Sequence, residues 1–137
     1  MHELFEHTAD LGLRITADDL PSLFRQAAEC LFSAIVEDVS TIRPLESVTI
    51  DIPGMGELDY LLFDWLNAIL YYVDAERKLF SRFDVEQVGP GVKAVIWGEP
   101  MDRDRHPLSH EVKAITYHGL IVEPIDAGWR AEVIVDI

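Results

Sequence analysis

The hydrophobic period of this chain changes along its length, and that change restricts the fold more than any other feature. Leu20, Leu23, Phe24, Ala27, Ala28, Leu31, Phe32 and Ile35 recur at spacings of three and four, one continuous apolar stripe on a helix. Asp18-Asp19-Leu20-Pro21 leads into it, a carboxylate cap followed by a proline that a first helical turn tolerates. A second stripe of Leu58, Leu61, Leu62, Trp65, Leu66, Ile69, Leu70 and Val73 predicts a helix over about residues 57–75. Elsewhere the period is two. Leu11, Leu13 and Ile15 alternate with Gly12, Arg14 and Thr16, and Val48, Ile50 and Ile52 mark a strand that Pro53-Gly54 ends. Leu79, Ser81, Phe83 and Val85 oppose Arg82, Asp84 and Glu86, and Val88-Gly89-Pro90-Gly91-Val92 reads as a tight reversal into a strand over 92–97. A polar loop over 98–109 and two long closing strands, 110–122 and 129–137, complete the reading, with a turn around 124–128. On the last strand Trp129, Ala131, Val133, Val135 and Ile137 share one face, with Arg130, Glu132, Ile134 and Asp136 opposite. The expectation is an α+β fold. Residues 1–137 form a single domain, a mostly antiparallel sheet with two amphipathic helices packed on it, not a doubly wound parallel sheet.

Charge narrows the classes of partner. The chain carries 25 acidic against 11 basic residues, a net −14. Such a surface repels phosphate backbones, so no direct nucleic-acid binding is expected, and a basic protein partner or a cation suits the field better. Acidic surfaces also simply favour solubility. No apolar run approaches the roughly 18–20 residues that span a bilayer, so no membrane contact is expected. Met1-His2-Glu3 does not open a secretory signal, and Cys30 is the one cysteine, placed in the first apolar stripe as a buried free thiol. These features point to the cytoplasm.

Familiar catalytic signatures are missing: no Gly-x-x-x-x-Gly-Lys loop, Gly-x-Gly-x-x-Gly fingerprint, Gly-x-Ser-x-Gly elbow or paired-cysteine zinc motif. His106 and His110 are four apart, but Pro107 and the charged flank Asp102-Arg103-Asp104-Arg105 make a loop more natural than a metal-binding helix. His118 alternates with core-facing residues and reads as a hydrogen-bonded structural histidine. His7-Thr8-Ala9-Asp10 follows an N-terminal strand and reads as a turn in which Thr8 and Asp10 bond local backbone amides. Asp136 and the terminal carboxylate of Ile137 set two anionic oxygen groups side by side, as hard cations such as Ca²⁺ or Mg²⁺ require, although most chain ends are frayed. In Glu111-Val112-Lys113-Ala114, Lys113 and Glu111 lie on a charged strand face. Asp64 and Asn67 flank the second stripe, as plain surface or as a contact patch.

Taken together, Phe5-Glu6-His7-Thr8-Ala9-Asp10, Asp64-Trp65-Leu66-Asn67, Leu79-Phe80-Ser81-Arg82-Phe83, Gly98-Glu99, Glu111 to His118 and the closing Val135-Asp136-Ile137 give a chain that resembles the archease family over essentially its whole length. The segment 37–56 matches least. The resemblance implies an accessory factor, not an enzyme: a protein that assists the GTP-dependent RNA ligase of tRNA splicing by promoting its guanylylation and multiple turnover. It implies a bound divalent cation, calcium foremost, held by Asp10, Asp136 and the carboxylate of Ile137. It makes Lys113 a contact for nucleotide or partner. A metal-independent protein chaperone or scaffold, and an independent metal-dependent hydrolase built on Asp10, Asp136 and His7, are the competing readings. Only the second predicts phosphoester turnover by the protein alone.

Overall fold

A computed structural model describes residues 1–137. The chain runs β1 (His2–His7), β2 (Asp10–Ala17), α1 (Leu20–Ile35), a single 3-10 turn (Val39–Thr41), β3 (Glu46–Ile52), α2 (Leu58–Asp74), β4 (Lys78–Val88), β5 (Gly91–Pro100), β6 (Ala114–Ile115), β7 (Ile121–Ile125) and β8 (Gly128–Asp136). Every strand pairing is antiparallel, and the class is α+β with two helices, as the two hydrophobic periods require. The strands divide between two sheets where one was expected. In the larger, β1, β2 and β8 lie side by side, and β6 and β7 both pair with the far edge of β8; in the smaller, β5 sits between β3 and β4.

Asp19 caps α1, its carboxylate accepting from the Ser22 N–H at 2.8 Å, with Pro21 in the first turn. The apolar stripe of α1 packs against both sheets. Leu11, Leu13 and Ile15 of β2 and Ala131, Val133 and Val135 of β8 turn inward to meet it, all buried. On the other side the Phe32 ring lies 6.0 Å from Phe80 and 5.9 Å from Phe83, both on β4. Trp65 on α2 is fully buried, and its indole N–H donates to the Phe24 carbonyl of α1 at 2.9 Å, which satisfies the one polar atom of an otherwise apolar helix contact. One hydrophobic cluster therefore spans both sheets and both helices. Cys30 lies within it as expected, and burial pushes its thiol up to about 12, so it is inert.

Three local expectations differ from what is found. The strand expected over 110–122 is broken into β6 and β7. The N–H groups of Ser109 and His110 donate instead to the carbonyls of Ile35 and Ala34, which the end of α1 would otherwise leave unsatisfied, and Gly119 at φ 66° turns the chain between the two short strands. The alternation expected along β4 is interrupted at Ser81, where the register with β5 shifts by one residue. This bulge puts Phe80 and Phe83 on the same inward side, which strict alternation forbids. Finally, β5 runs on through Gly98 and Glu99 to Pro100, into the segment expected as loop.

Candidate functional site

The large sheet sets the geometry of the predicted site residues through its register. Leu11 pairs with Val135 across β2 and β8, so one step further along the same register Asp10 stands opposite Asp136. His7 pairs with Asp10 across the β1–β2 hairpin, and Ala114 of β6 pairs with Asp136. His7, Asp10, Asp136 and Ala114 thus form one row across the end of the sheet. Because Leu11 and Val135 turn inward, the row faces outward, with neighbouring Cα atoms about 4.5–5.5 Å apart. The Lys113 N–H donates to the Asp136 carbonyl at 2.7 Å, which brings the backbone of Lys113 alongside the chain end. The Ile137 side chain packs against the core and anchors that end.

The next rows on the same face behave differently. Phe5 and Gly12 are paired, and the Phe5 ring occupies the space where a Cβ on residue 12 would project; the Arg14 guanidinium lies 4.3 Å above that ring. Arg14 then bridges Glu132 at 2.8 Å and Glu3 at 3.1 Å, and Arg130 bonds Glu132 at 2.6 Å and Glu123 at 2.9 Å. The hydrogen bond from Arg14 holds the Glu132 carboxyl below its usual range, against the opposing effect of burial. Each of these glutamates has a guanidinium partner. In the end row, Asp10 and Asp136 have no ion pair and no side-chain hydrogen bond, and Lys113 is exposed and paired with no carboxylate. The local amide bonds expected of Thr8 and Asp10 are not made either. Thr8 sits instead at φ 51°, a conformation a β-branched residue adopts only at a cost.

Two imidazoles border the row. The Nδ1 of His7 is buried without a hydrogen-bond partner, and the His118 ring lies 5.2 Å from that of His7, edge-on. His118 is exposed in the turn after β6, not the hydrogen-bonded core residue its alternation suggested, because the strand that would have buried it ends at Ile115. An outward row of unpaired oxygens suits a hard cation. No group of three or more His, Cys, Asp or Glu side chains is arranged to hold a metal; Ile137, the third residue expected at the site, follows Asp136 directly.

His106 and His110 do not converge. His106 is fully buried: its Nδ1 accepts from the Asp102 N–H at 3.0 Å, leaving Nε2–H to donate to Glu99 at 2.9 Å. Arg43 bonds the same carboxylate with both backbone and guanidinium, at 2.7 and 2.9 Å. His110 instead contacts the Ala34 carbonyl. Sequence periodicity gave no sign of the Glu99 cluster; Glu99 stood out only within the Gly98-Glu99 segment of the family resemblance, at the start of an expected polar loop.

A family model described as the archease protein family (MTH1598/TM1083) matches residues 2–137. The chain is 42% identical to protein archease of Methanopyrus kandleri over 98% of both chains, and 38% identical to that of Pyrococcus furiosus over 98% of this chain and 97% of the other. Among solved structures it is similar to protein 1598 of Methanobacterium thermoautotrophicum, with a TM-score of 0.81 at 28% identity over 99% of this chain and 98% of that one. It also shares its fold with an archease from Thermotoga maritima described as a possible chaperone, with a TM-score of 0.68 at 21% identity over 100% of this chain and 98% of that one.

Proposed function

The chain belongs to the archease family, and from that premise we propose that it is an accessory factor of the GTP-dependent tRNA-splicing RNA ligase, promoting guanylylation and repeated turnover with a bound divalent cation, calcium foremost. The observation that carries the reading is the contrast within one sheet face: the glutamates of the inner rows are neutralised by arginine, while Asp10 and Asp136 share a row and form no ion pair. Two like charges held on adjacent strands repel, and a cation relieves that repulsion. Asp10, Asp136 and the Ile137 carboxylate would hold it. When bound, the cation supplies positive charge of the kind that stabilises phosphate oxygens during nucleotidyl transfer. The chain itself does the positioning. The β2–β8 ladder aligns the two aspartates, the partly buried side chain of Ile137 packs on the core and restrains the terminus, and Lys113, exposed and with its backbone N–H bonded to the Asp136 carbonyl, is available to nucleotide or partner. With no phosphate-binding loop, the protein performs no nucleotide chemistry alone.

A metal-independent chaperone or scaffold is the second reading; the Thermotoga maritima protein of the same fold is described as a possible chaperone. That reading leaves the unpaired aspartate row without a purpose. Multiple-turnover ligation by the cognate ligase, with and without catalytic amounts of this protein, tests the proposal: turnover should rise sharply with wild type and much less with Lys113→Ala, which stays folded. Ligation indifferent to the protein at every ratio, or GTP cleavage by the protein alone, refutes it. Stimulation that persists in excess chelator favours the metal-independent reading.

A further inference from the structure

The outer face of α2 carries large aromatic rings that the core does not use. Tyr60 is 55% exposed, Tyr71 59%, and Tyr117, from the turn after β6, 59%. These rings are not loose. Tyr117 stacks on Phe63 with centroids 4.0 Å apart and planes 16° from parallel, and Tyr60 meets the edge of Tyr117 at 5.8 Å. Asp64 and Asn67 lie on the same exposed face, spaced so that Tyr60, Asp64, Asn67 and Tyr71 follow one another at helical intervals. Rigid, amphipathic tyrosines set among polar groups are the composition of binding hot spots, because little side-chain entropy remains to be lost when they are covered.

Charge identifies what covers them. From Glu57 to Glu76 the chain has five carboxylates and no Lys, Arg or His. None of those carboxylates takes part in an ion pair, and only Asp59 is engaged, accepting from the Val122 N–H at 2.8 Å. Position adds a second constraint. Tyr117 adjoins His118, whose ring lies 5.2 Å from His7, the cross-strand partner of Asp10. His118, next in the chain to Tyr117, thus ties the loop that carries Tyr117 to the His7 end of the aspartate row.

We propose that the Tyr60–Tyr117–Tyr71 face of α2 is the docking surface for the protein partner, and that it takes a basic segment of that partner whose arginines stack on the tyrosine rings and pair with Asp64. This rests on the accessory-factor reading and locates its interface. Guanidinium groups satisfy both requirements at once, since they stack on aromatic faces and bond carboxylates.

Titrating the full-length ligase with wild type, Tyr117→Ala, Tyr60→Ala, Tyr117→Phe and Asp64→Lys reads the interface directly. Tyr117→Ala and Tyr60→Ala should each weaken ligase binding about tenfold, with thermal melting lowered by no more than about 10 °C through the lost ring contact, cooperative unfolding retained, and unchanged Ca²⁺ affinity of the free protein. Tyr117→Phe, which keeps the ring, should bind within about threefold of wild type, and Asp64→Lys should weaken binding most at low salt. Dissociation constants within twofold of wild type for both alanine variants, with wild type still binding and stimulating the ligase, overturn the surface and spare the accessory role. A wild type that neither binds nor stimulates the ligase overturns both. Sedimentation that shows wild type dimerising through this face, with the dimer lost in Tyr117→Ala, assigns the rings to a second copy and overturns the proposal.

Discussion

At the scale of single residues, the informative quantity is which charges have partners. Asp10 and Asp136 are ordinary surface carboxylates in composition, and only the β2–β8 register makes them neighbours. Their repulsion is a small destabilising term in the metal-free protein, so Asp10→Asn and Asp136→Asn should leave its stability within about 0.5 kcal/mol of wild type. Each should lower Ca²⁺ affinity at least about tenfold, because a hard-ion site loses most when an anionic oxygen goes. Isothermal titration reads both variants, and unchanged affinity in the two would remove the site. A few residues appended after Ile137 convert its carboxylate into a neutral amide. That extension should weaken Ca²⁺ binding and ligase stimulation, whereas the same residues placed before Met1 should not. Equal performance of the two extended proteins would strike the terminal carboxylate from the ligand set.

At the scale of elements, the segments that join the strands carry a polar core of their own. Glu99, 3% exposed, ties Arg43 from the segment before β3 to His106 from the turn after β5. Burial alone would raise its carboxyl, but hydrogen bonds from the Arg43 backbone N–H and guanidinium and from His106 outweigh burial and hold it at about 2. The folded value lies below the unfolded one, so this group adds stability that is complete above about pH 4.5 and is lost as the pH falls towards 2. Allowing for the half-exposed Arg43, the contribution is on the order of 2 kcal/mol. Glu99→Gln should therefore lower stability by roughly that amount at pH 7 and flatten the acid limb of the stability curve; urea melts between pH 2.5 and 7 measure both. An acid limb of unchanged slope would show that Glu99 is not the titrating group. This cluster also marks where sequence reading stops. Both helices, β2, β3 and β8 were legible because apolar spacing along a single segment records which face is buried. The break between β6 and β7 and the Ser81 bulge involve partners 39 to 76 residues away, such as Ser81 with Ile42 and His110 with Ala34, and the Glu99 carboxylate that bonds His106 is itself held by Arg43, 56 residues away; no local period encodes these contacts. The aspartate row was legible only by resemblance, since nothing in the spacing of residues 10 and 136 says that they meet.

At the scale of the whole molecule, a net charge of −14 on 137 residues is a field as well as a sum. Its distribution over the fold is uneven. Seven of the eleven cations are tied up in ion pairs, namely Arg14, Arg25, Arg43, Lys78, Arg82, Arg105 and Arg130, so the positive charge is largely spent locally while the α2 face and the aspartate row stay uncompensated. A long-range negative field of this kind repels RNA and draws a basic surface in, and it acts on encounter more than on the lifetime of the complex. The association rate with the ligase should accordingly fall at least about tenfold between roughly 0.05 and 0.5 M salt, as the Debye length shrinks from over 10 Å towards 4 Å, while the dissociation rate changes by less than about threefold. Stopped-flow mixing across that range separates the two rates. An association rate that rises with salt would mean that the ligase presents an acidic face, and a salt effect confined to dissociation would mean that the charge acts only at short range, through contacts such as Asp64, and does not steer. Of these outcomes, only a falling association rate makes the acidic composition itself part of how the protein finds its partner.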